Sequence, residues 1–228
     1  MIPQLPADLD LDLDQLDRDG ALRDTASRLP RGRFLAIAAG AAAAFGATAS
    51  PARAALPKGD IAILNYALAL EYLQAAFYTE TERVGKVTGR AARAVKVVGA
   101  VERAHVAAFR NLLGAQAIKR PTFDFRGVTE EQQAFLKTAV AFEDLAVAAY
   151  KGQAHLIKSD AVLAAAVSIH SVEARHAAWM RHLFGVRPAA SPFDEAKPSD
   201  EILKIVRSTN FIVARPRMLG KGGPKFTG

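Results

Sequence analysis

The sequence contains no cysteine among its 228 residues. This absence excludes disulfides, thiolate zinc sites, iron–sulfur clusters and cysteine nucleophiles together. Aromatic residues are also scarce, at 7%, although half of the residues are apolar. A core built mostly from Ala, Leu and Val favours helices over sheets. The length suits one domain with extensions.

Nucleic-acid binding is not expected, although the formal net charge is +7. A basic surface can attract nucleic acid or anionic membranes. The sequence has no basic stripe interleaved with aromatic residues and no nucleic-acid-binding motif.

The first 54 residues have the parts of an export signal. An acidic, low-complexity start is followed by Arg31 and Arg33, an apolar run over residues 34–49, and the small-x-small site at Ala54. The run is shorter than the ~20 residues of a membrane-spanning helix, so a signal peptide is favoured over an anchor. The stretch RGRFLAIAAG resembles a twin-arginine signal, but Gly32 separates the arginines. We expect a mature chain that begins near Ala55, lies in the periplasm or outside the cell, and has no further span.

Four long segments with apolar periodicity near 3.6 predict helices. Asp60 is expected to cap the first helix, and Thr129 with Gln132 is expected to form a capping box at the third. Gly185 is expected to end the fourth. The predicted helices cover residues 60–84, 90–117, 129–157 and 161–184, and a short helix is expected over 200–207.

The lengths of the connections predict how the helices pair. Short turns make the first and second helices antiparallel neighbours, and likewise the third and fourth. The connection over residues 115–128 is long enough to run the length of a bundle. This pattern predicts an all-α, ferritin-like four-helix bundle with one long crossover. The expected domains are residues 1–54 (targeting region), 55–186 (bundle) and 187–228 (basic, Pro/Gly-rich tail).

Two stretches, VERAHVAAFRNLLG and VEARHAAWMRHLFG, match at seven of fourteen positions. Each contains Glu-x-x-His, on the second helix of its hairpin: Glu102 with His105, and Glu173 with His176. Each first helix carries one glutamate inside an apolar run, Glu71 or Glu143. Equal distances from the short turns place these groups at equal heights, so we expect Glu71 to face the first motif and Glu143 the second.

Four inward-facing carboxylates and two imidazoles are the ligand set of ferritin-like di-iron and di-manganese proteins. Without metal, the buried carboxylates would cost several kcal/mol per charge. The pattern predicts two iron ions, or alternatively two manganese ions, with His105 and His176 on different ions. The alternative is a duplicated hairpin that holds no metal. The predicted metal ligands are Glu71, Glu102, His105, Glu143, Glu173 and His176.

A tyrosine follows each first-helix glutamate by seven residues. Tyr78 is interpreted either as a redox-active residue beside the ligands or as a core aromatic residue, and Tyr150 as a core residue with a satisfied hydroxyl. His170 lies one turn before Glu173 and is a candidate partner of the ligands. The remaining histidines, His155 and His182, are expected at the surface or in structural roles.

The segment ILNYALALEYLQAAFY and the two Glu-x-x-His motifs resemble the bacterial ferritin-like family related to plant desiccation-related proteins. The resemblance covers residues 60–185 and implies a ferritin-like bundle with a di-metal site and an exported location. Wider relatives include bacterioferritins, rubrerythrins and di-iron oxidases. This chain lacks the cysteine-based electron-transfer domain of rubrerythrins and a compact fifth helix directly after the fourth, so iron storage in a shell is not expected. A homodimer is compatible with the pattern.

Two functions follow from these expectations. In the first, a redox metalloprotein uses O2 or H2O2, as a ferroxidase, a peroxidase or a manganese catalase does. In the second, a non-enzymatic stress or envelope protein holds metal for structure or holds none. Iron-dependent consumption of O2 or peroxide distinguishes the two.

Overall fold

The computed structural model describes residues 56–213. The predicted signal region and the end of the predicted tail, from residue 214, lie outside the described residues. Within 56–213 the chain is mostly helical, with five α-helices, which confirms the expected helical bundle. The helices are α1 (Lys58–Val84), α2 (Gly89–Leu113), α3 (Gln132–Ala154), α4 (Asp160–Phe184) and α5 (Ser199–Ser208), and two short strands are β1 (Thr122–Phe123) and β2 (Ile212–Val213).

The first four helices form two hairpins, α1 with α2 and α3 with α4, and α1 also contacts α3 while α2 contacts α4. Hydrogen bonds at the two ends of the bundle fix the helix directions. The backbone N–H of Thr88, between α1 and α2, donates to Oε1 of Gln132 at the start of α3. At the other end, Asp60 in the first turn of α1 accepts from the backbone N–H groups of Lys158 and Ser159, before α4. Therefore α1 and α3 are antiparallel, and the α2–α3 connection crosses the length of the bundle.

Several predicted helix ends are wrong. α1 begins at Lys58 after Pro57, and Asp60 binds the α3–α4 turn instead of capping its own helix, because that turn offers two backbone donors. α2 ends at Leu113, where Gly114 takes a positive φ and a single 3-10 turn follows. The predicted end at residue 117 included that turn.

The predicted capping box of α3 is also wrong. The N-cap is Glu131, whose carboxylate accepts from the N–H groups of Gln133 and Ala134. Thr129 lies in a 3-10 turn and donates its hydroxyl to the buried Glu80. α3 ends at Ala154, three residues before the predicted end. The predicted end of α4 at Gly185 is confirmed by its left-handed conformation.

The described part of the predicted tail packs onto the bundle. Ile202 and Val206 of α5 are buried, and β2 pairs antiparallel with β1 of the crossover. Gly152 of α3 leaves room for this segment, because a Cβ there would lie 1.9 Å from the carbonyl oxygen of Lys197. Residues 197–213 therefore belong to the same packed structure as the helices.

Aromatic residues concentrate at one end of the bundle. Phe77 of α1 stacks on Phe135 and meets Phe142 edge-on, both with ring centres 5.1 Å away. Phe125 of the crossover and Phe211 extend this cluster.

Among the described residues, α1 is the one helix long and apolar enough to cross a membrane, contrary to the expectation of no such segment. However, 67% of its most apolar window is buried inside the protein, as in a core helix.

Candidate metal centre

Each of the four bundle helices places one glutamate in the interior, with no exposed surface: Glu71, Glu102, Glu143 and Glu173. His105 and His176 are also buried, at 9% and 6% exposure. Because Glu and His three residues apart share a helix face, each motif turns both side chains inward. The structure thus brings together all six residues that the sequence singled out.

The imidazole of His105 contacts carboxylates from three helices. Its Nδ1 lies 3.2 Å from Glu71 Oε2, 3.4 Å from Glu102 Oε2 and 3.2 Å from Glu173 Oε1. Glu71 was expected to face this motif because both lie equally far from the α1–α2 turn. The contact with Glu173 joins the two hairpins and was not expected from the sequence.

The imidazole of His176 makes the related contacts on the other side of the cluster. Its Nδ1 lies 2.8 Å from Glu102 Oε1 and 3.6 Å from Glu143 Oε2. The rings of His105 and His176 are 6.5 Å apart between centres. Each histidine therefore contacts its own hairpin and one glutamate of the other.

The six residues form two overlapping groups whose ligand atoms all lie within 4.8 Å of one another. One group contains Glu71 and His105, the other contains Glu143 and His176, and Glu102 and Glu173 belong to both. Two adjacent cations bridged by carboxylates require two such groups that share members.

The unpartnered atoms of the cluster test whether the residues suit a cation. Buried polar groups normally have a hydrogen-bond partner. Six atoms here lack one, although they lie close together: Glu71 Oε2, Glu102 Oε1 and Oε2, His105 Nδ1, Glu173 Oε1 and His176 Nδ1. These atoms are close to one another but do not meet the geometry of hydrogen bonds. They therefore face common positions in the interior and do not form donor–acceptor pairs. Carboxylate oxygen and imidazole nitrogen are ligands for iron and manganese, and the cluster is compatible with a metal site.

The electrostatics of the metal-free cluster show what a cation would replace. Burial raises the pKa of Glu71, Glu143 and Glu173 from 4.5 to about 7. Burial also disfavours the charged form of His176, but contacts with Glu102 and Glu143 raise its pKa to about 10. In the metal-free protein, protons and imidazolium groups compensate the buried negative charge, and bound cations would displace them.

Two tyrosines support the cluster by crossing between hairpins. Tyr78 of α1 donates its hydroxyl hydrogen to Glu143 Oε1 of α3, and Tyr150 of α3 donates to Glu71 Oε1 of α1, each at 2.5 Å. Both rings are buried. The hydroxyl of Tyr150 is satisfied as expected, but its partner is the predicted ligand Glu71, so Tyr150 lies beside the cluster and is more than a core residue. Tyr78 makes the equivalent bond to Glu143. Burial and the nearby carboxylates raise the pKa of both tyrosines well above 10, so both hydroxyls stay protonated and donate.

Gln74 contacts the cluster and was missed in the sequence. Its buried side-chain amide donates to Glu143 Oε2 at 3.2 Å and to Glu173 Oε2 at 3.4 Å. When Glu71 is aligned with Glu143, Gln74 corresponds to Ala146, so a search for repeated residues passes over it. Its spacing of three residues after Glu71, on the same helix face, was the available signal.

The other histidines lie apart from this network in the residues described. His155 and His182 are exposed, as expected. His170 is half-buried, and its Nε2 has no hydrogen-bond partner among residues 56–213. It makes no described contact with the ligands, so the structure gives no support to its expected role beside them.

The antiparallel hairpins, the long crossover and the buried carboxylate–imidazole cluster define a four-helix-bundle protein with a candidate metal centre. A family model for the ferritin-like domain matches residues 59–186, and the chain belongs to that family. Comparison with curated proteins gave no match.

Proposed function

We propose that this protein binds a dinuclear iron centre, with manganese as the alternative, and uses it for iron oxidation or for chemistry with O2 or peroxide. The observation that carries the proposal is the sharing of Glu102 and Glu173 between two groups of four ligand atoms. A single-cation site needs one such group. Glu71 and His105 would hold one ion, Glu143 and His176 would hold the other, and Glu102 and Glu173 would contribute to both.

The chemistry that bound iron supplies is electron transfer to an oxidant. The chain itself contributes geometry and charge. The four glutamates offset the charge of two divalent ions, while Tyr78, Tyr150 and Gln74 hold three of the carboxylates in place. Full burial of the carboxylates excludes bulk water from the site.

The free-energy cost of burying four carboxylates favours a redox role for the metal over a purely structural one. A bundle held together by apolar packing gains little from four buried carboxylates, since replacement of buried ionic groups by apolar ones is often neutral or stabilising. A structural role alone therefore does not account for this arrangement. The resemblance to desiccation-related proteins and the predicted export signal lead us to propose a role in oxidative stress outside the cytoplasm.

Metal analysis of the protein purified from its native compartment tests the proposal directly. We expect close to two iron or manganese ions per chain, and Fe2+-dependent consumption of O2 or H2O2. Removal of metal by chelation should lower the melting temperature, and Fe2+ or Mn2+ should restore it more fully than Ca2+, since a ligand that binds only the folded state stabilises it. Bound metal without turnover would support the structural alternative, and a native protein without metal would refute the dinuclear centre.

A further inference from the structure

A small cavity lies inside the bundle, between the glutamate cluster and the end where α1 begins. Its wall draws on all four helices, with Ile63 and Leu70 of α1, Phe109 of α2, Ala149 of α3 and Ile169 of α4. The volume is about 20 Å³. A cavity that holds one water needs about 10–15 Å³, so this one has room for a single small molecule.

Comparison of the two halves of the internal repeat shows why the cavity lies at this end of the bundle. When Glu71 is aligned with Glu143 and Tyr78 with Tyr150, Ile63, Leu70 and Ala149 correspond to Phe135, Phe142 and Phe77. Phe135 and Phe142 both pack against Phe77, each with its ring centre 5.1 Å from that of Phe77. One end is therefore filled by aromatic rings, and the other has smaller side chains at the same three positions.

The wall of the cavity includes residues near the surface and one residue that contacts the cluster. On the α1–α4 side its wall includes the half-buried residues Ile63, Ala165 and Ala166. On the inner side its wall includes Tyr150, whose hydroxyl donates to Glu71. An occupant of the cavity would thus be separated from the Glu71 carboxylate by a single side chain.

The chemistry of the wall selects the occupant. Tyr66, Tyr150 and Gln153 contribute to the wall, but nearly all of the surface that faces the cavity is carbon. A buried water typically makes 2–4 hydrogen bonds, and genuinely empty cavities in proteins are the apolar ones. Hydrogen peroxide has the same need for polar partners. An aliphatic chain of several carbons exceeds the volume. A small, uncharged, apolar molecule fits both the size and the wall.

We propose that this cavity binds molecular oxygen and is the route by which O2 reaches the Glu71 side of the cluster. The binding of O2 depends only on the cavity. Its delivery to a metal rests on the proposed dinuclear centre. O2 would therefore be the oxidant that this chain is built to admit, in preference to H2O2.

Methyl NMR of the metal-free protein under O2 pressure tests the binding, because dissolved O2 is paramagnetic and speeds the relaxation of nearby protons. Leu70 and Ile169 line the cavity and are each 5% exposed; Val95 and Val98, both on α2 towards the filled end, are 2% and 0% exposed. We expect a several-fold larger effect of O2 on the methyl groups of Leu70 and Ile169. Equal effects at both ends would refute the proposal.

Filling the cavity gives a second test with a matched control. Ala149→Val adds two methyl groups to the wall, and Ala148→Val makes the same change at a neighbouring buried residue that is not part of that wall. Ala149→Val should reduce the O2 effect at Leu70 to the level of Val98, and Ala148→Val should leave it unchanged. If Ala149→Val does not fold, Ala166→Leu fills the cavity from a half-buried position. Equal loss in the filled and control variants would contradict a specific site.

Metal loading separates this inference from the proposed function. With Fe2+ bound as the reductant, Ala149→Val should retain its metal content but oxidise the iron more slowly with O2 and at an unchanged rate with H2O2. An unchanged rate with O2 would refute the route. A failure to bind metal in both the variant and the parent protein would refute the dinuclear centre and, with it, delivery to a metal, while the NMR result would still decide O2 binding.

Discussion

Tyr78 and Glu143 join the two hairpins of the bundle through one buried hydrogen bond, in which the phenol of α1 donates to the carboxylate of α3. Tyr150 and Glu71 form the equivalent bond in the opposite direction. Each hairpin thereby orients the first-helix glutamate of the other. The cluster is a joint property of both hairpins, and neither hairpin contains a complete copy.

Removal of either hydroxyl should loosen a carboxylate. We expect Tyr78→Phe and Tyr150→Phe each to lower the free energy of unfolding of the metal-free protein by about 1–3 kcal/mol, since each leaves a buried oxygen without its donor. Metal affinity should fall by about 10–100-fold, as is typical when a partner of a metal ligand is removed. Urea denaturation and metal-competition titrations measure the two effects.

Tyr66→Phe is the matched control for these tyrosine variants. The hydroxyl of Tyr66 is buried and has no hydrogen-bond partner among the described residues. Its removal should be neutral or stabilising, because an unsatisfied polar group is lost. If Tyr66→Phe destabilised the protein as much as Tyr78→Phe, the effect would lie in packing and not in the bond to Glu143.

The two histidines should behave as parts of one unit. His105→Ala removes a ligand of one proposed ion and disturbs the other through Glu102 and Glu173, and His176→Ala does the same from the opposite side. Each variant should lose most of the dinuclear redox activity, and the double variant should be little worse than either single one. Metal stoichiometry and rates of O2 or H2O2 consumption measure this.

His182→Ala provides the control, because this side chain is exposed. It should leave the metal content near that of the parent protein. Retention of two ions and full activity in both His105→Ala and His176→Ala would show that the paired motifs do not form a metal centre.

The stability of the metal-free protein should fall as the pH rises. Burial raises the pKa of Glu143 and Glu173 from 4.5 to about 7, so between these values the folded state holds more protons than the unfolded state. The contribution of these two carboxyl groups to the free energy of unfolding is fully present below about pH 4.5 and is lost as the pH rises through 7. His176, with a pKa of about 10 in the folded state, extends the loss to higher pH.

Metal binding should show the opposite trend, since cations compete with these protons and bind more tightly at higher pH. Melting temperatures measured from about pH 5 to about pH 8, with and without Mn2+, should therefore diverge as the pH rises. A metal-free melting temperature that increased across this range would contradict the assignment of raised carboxyl pKa values.

Because Gly99 packs closely against Tyr78, we expect a side chain at position 99 to destabilise the protein. A Cβ at Gly99 would lie 2.9 Å from the Cβ of Tyr78 and 2.5 Å from Glu82 Oε1. The Glu82 side chain can move, but the Cβ of Tyr78 moves only with α1. Gly99→Ala should therefore separate α1 from α2 and destabilise the protein by about 1–3 kcal/mol, despite the helix propensity gained.

Gly59→Ala is the comparison, because no atom lies within 4 Å of a Cβ at that position in the first turn of α1. It should be neutral or slightly stabilising. Denaturant midpoints of both variants, together with the metal affinity of Gly99→Ala, measure the effect. Equal stability changes in the two variants would show that the contact with Tyr78 carries no cost.

The sequence by itself determined the helical class, the two hairpins and the height of the six cluster residues. These follow from local rules: helical rise per residue is fixed, a short turn forces its helices to be antiparallel, and a spacing of three residues keeps Glu102 with His105 on one face. Even so, the start of α3 was predicted incorrectly, because Thr129 bonds to Glu80 of α1 instead of capping its own helix.

The tertiary structure alone decided how the hairpins combine. The bonds of Tyr78 and Tyr150 across the bundle, the amide of Gln74 and the packing of Phe211 join residues far apart in the sequence. The difference between the phenylalanine-filled end and the end with the cavity also depends on residues far apart in the sequence. No local periodicity encodes such contacts, because they depend on how the crossover sets α3 against α1 and on which side chains then fill the shared interior.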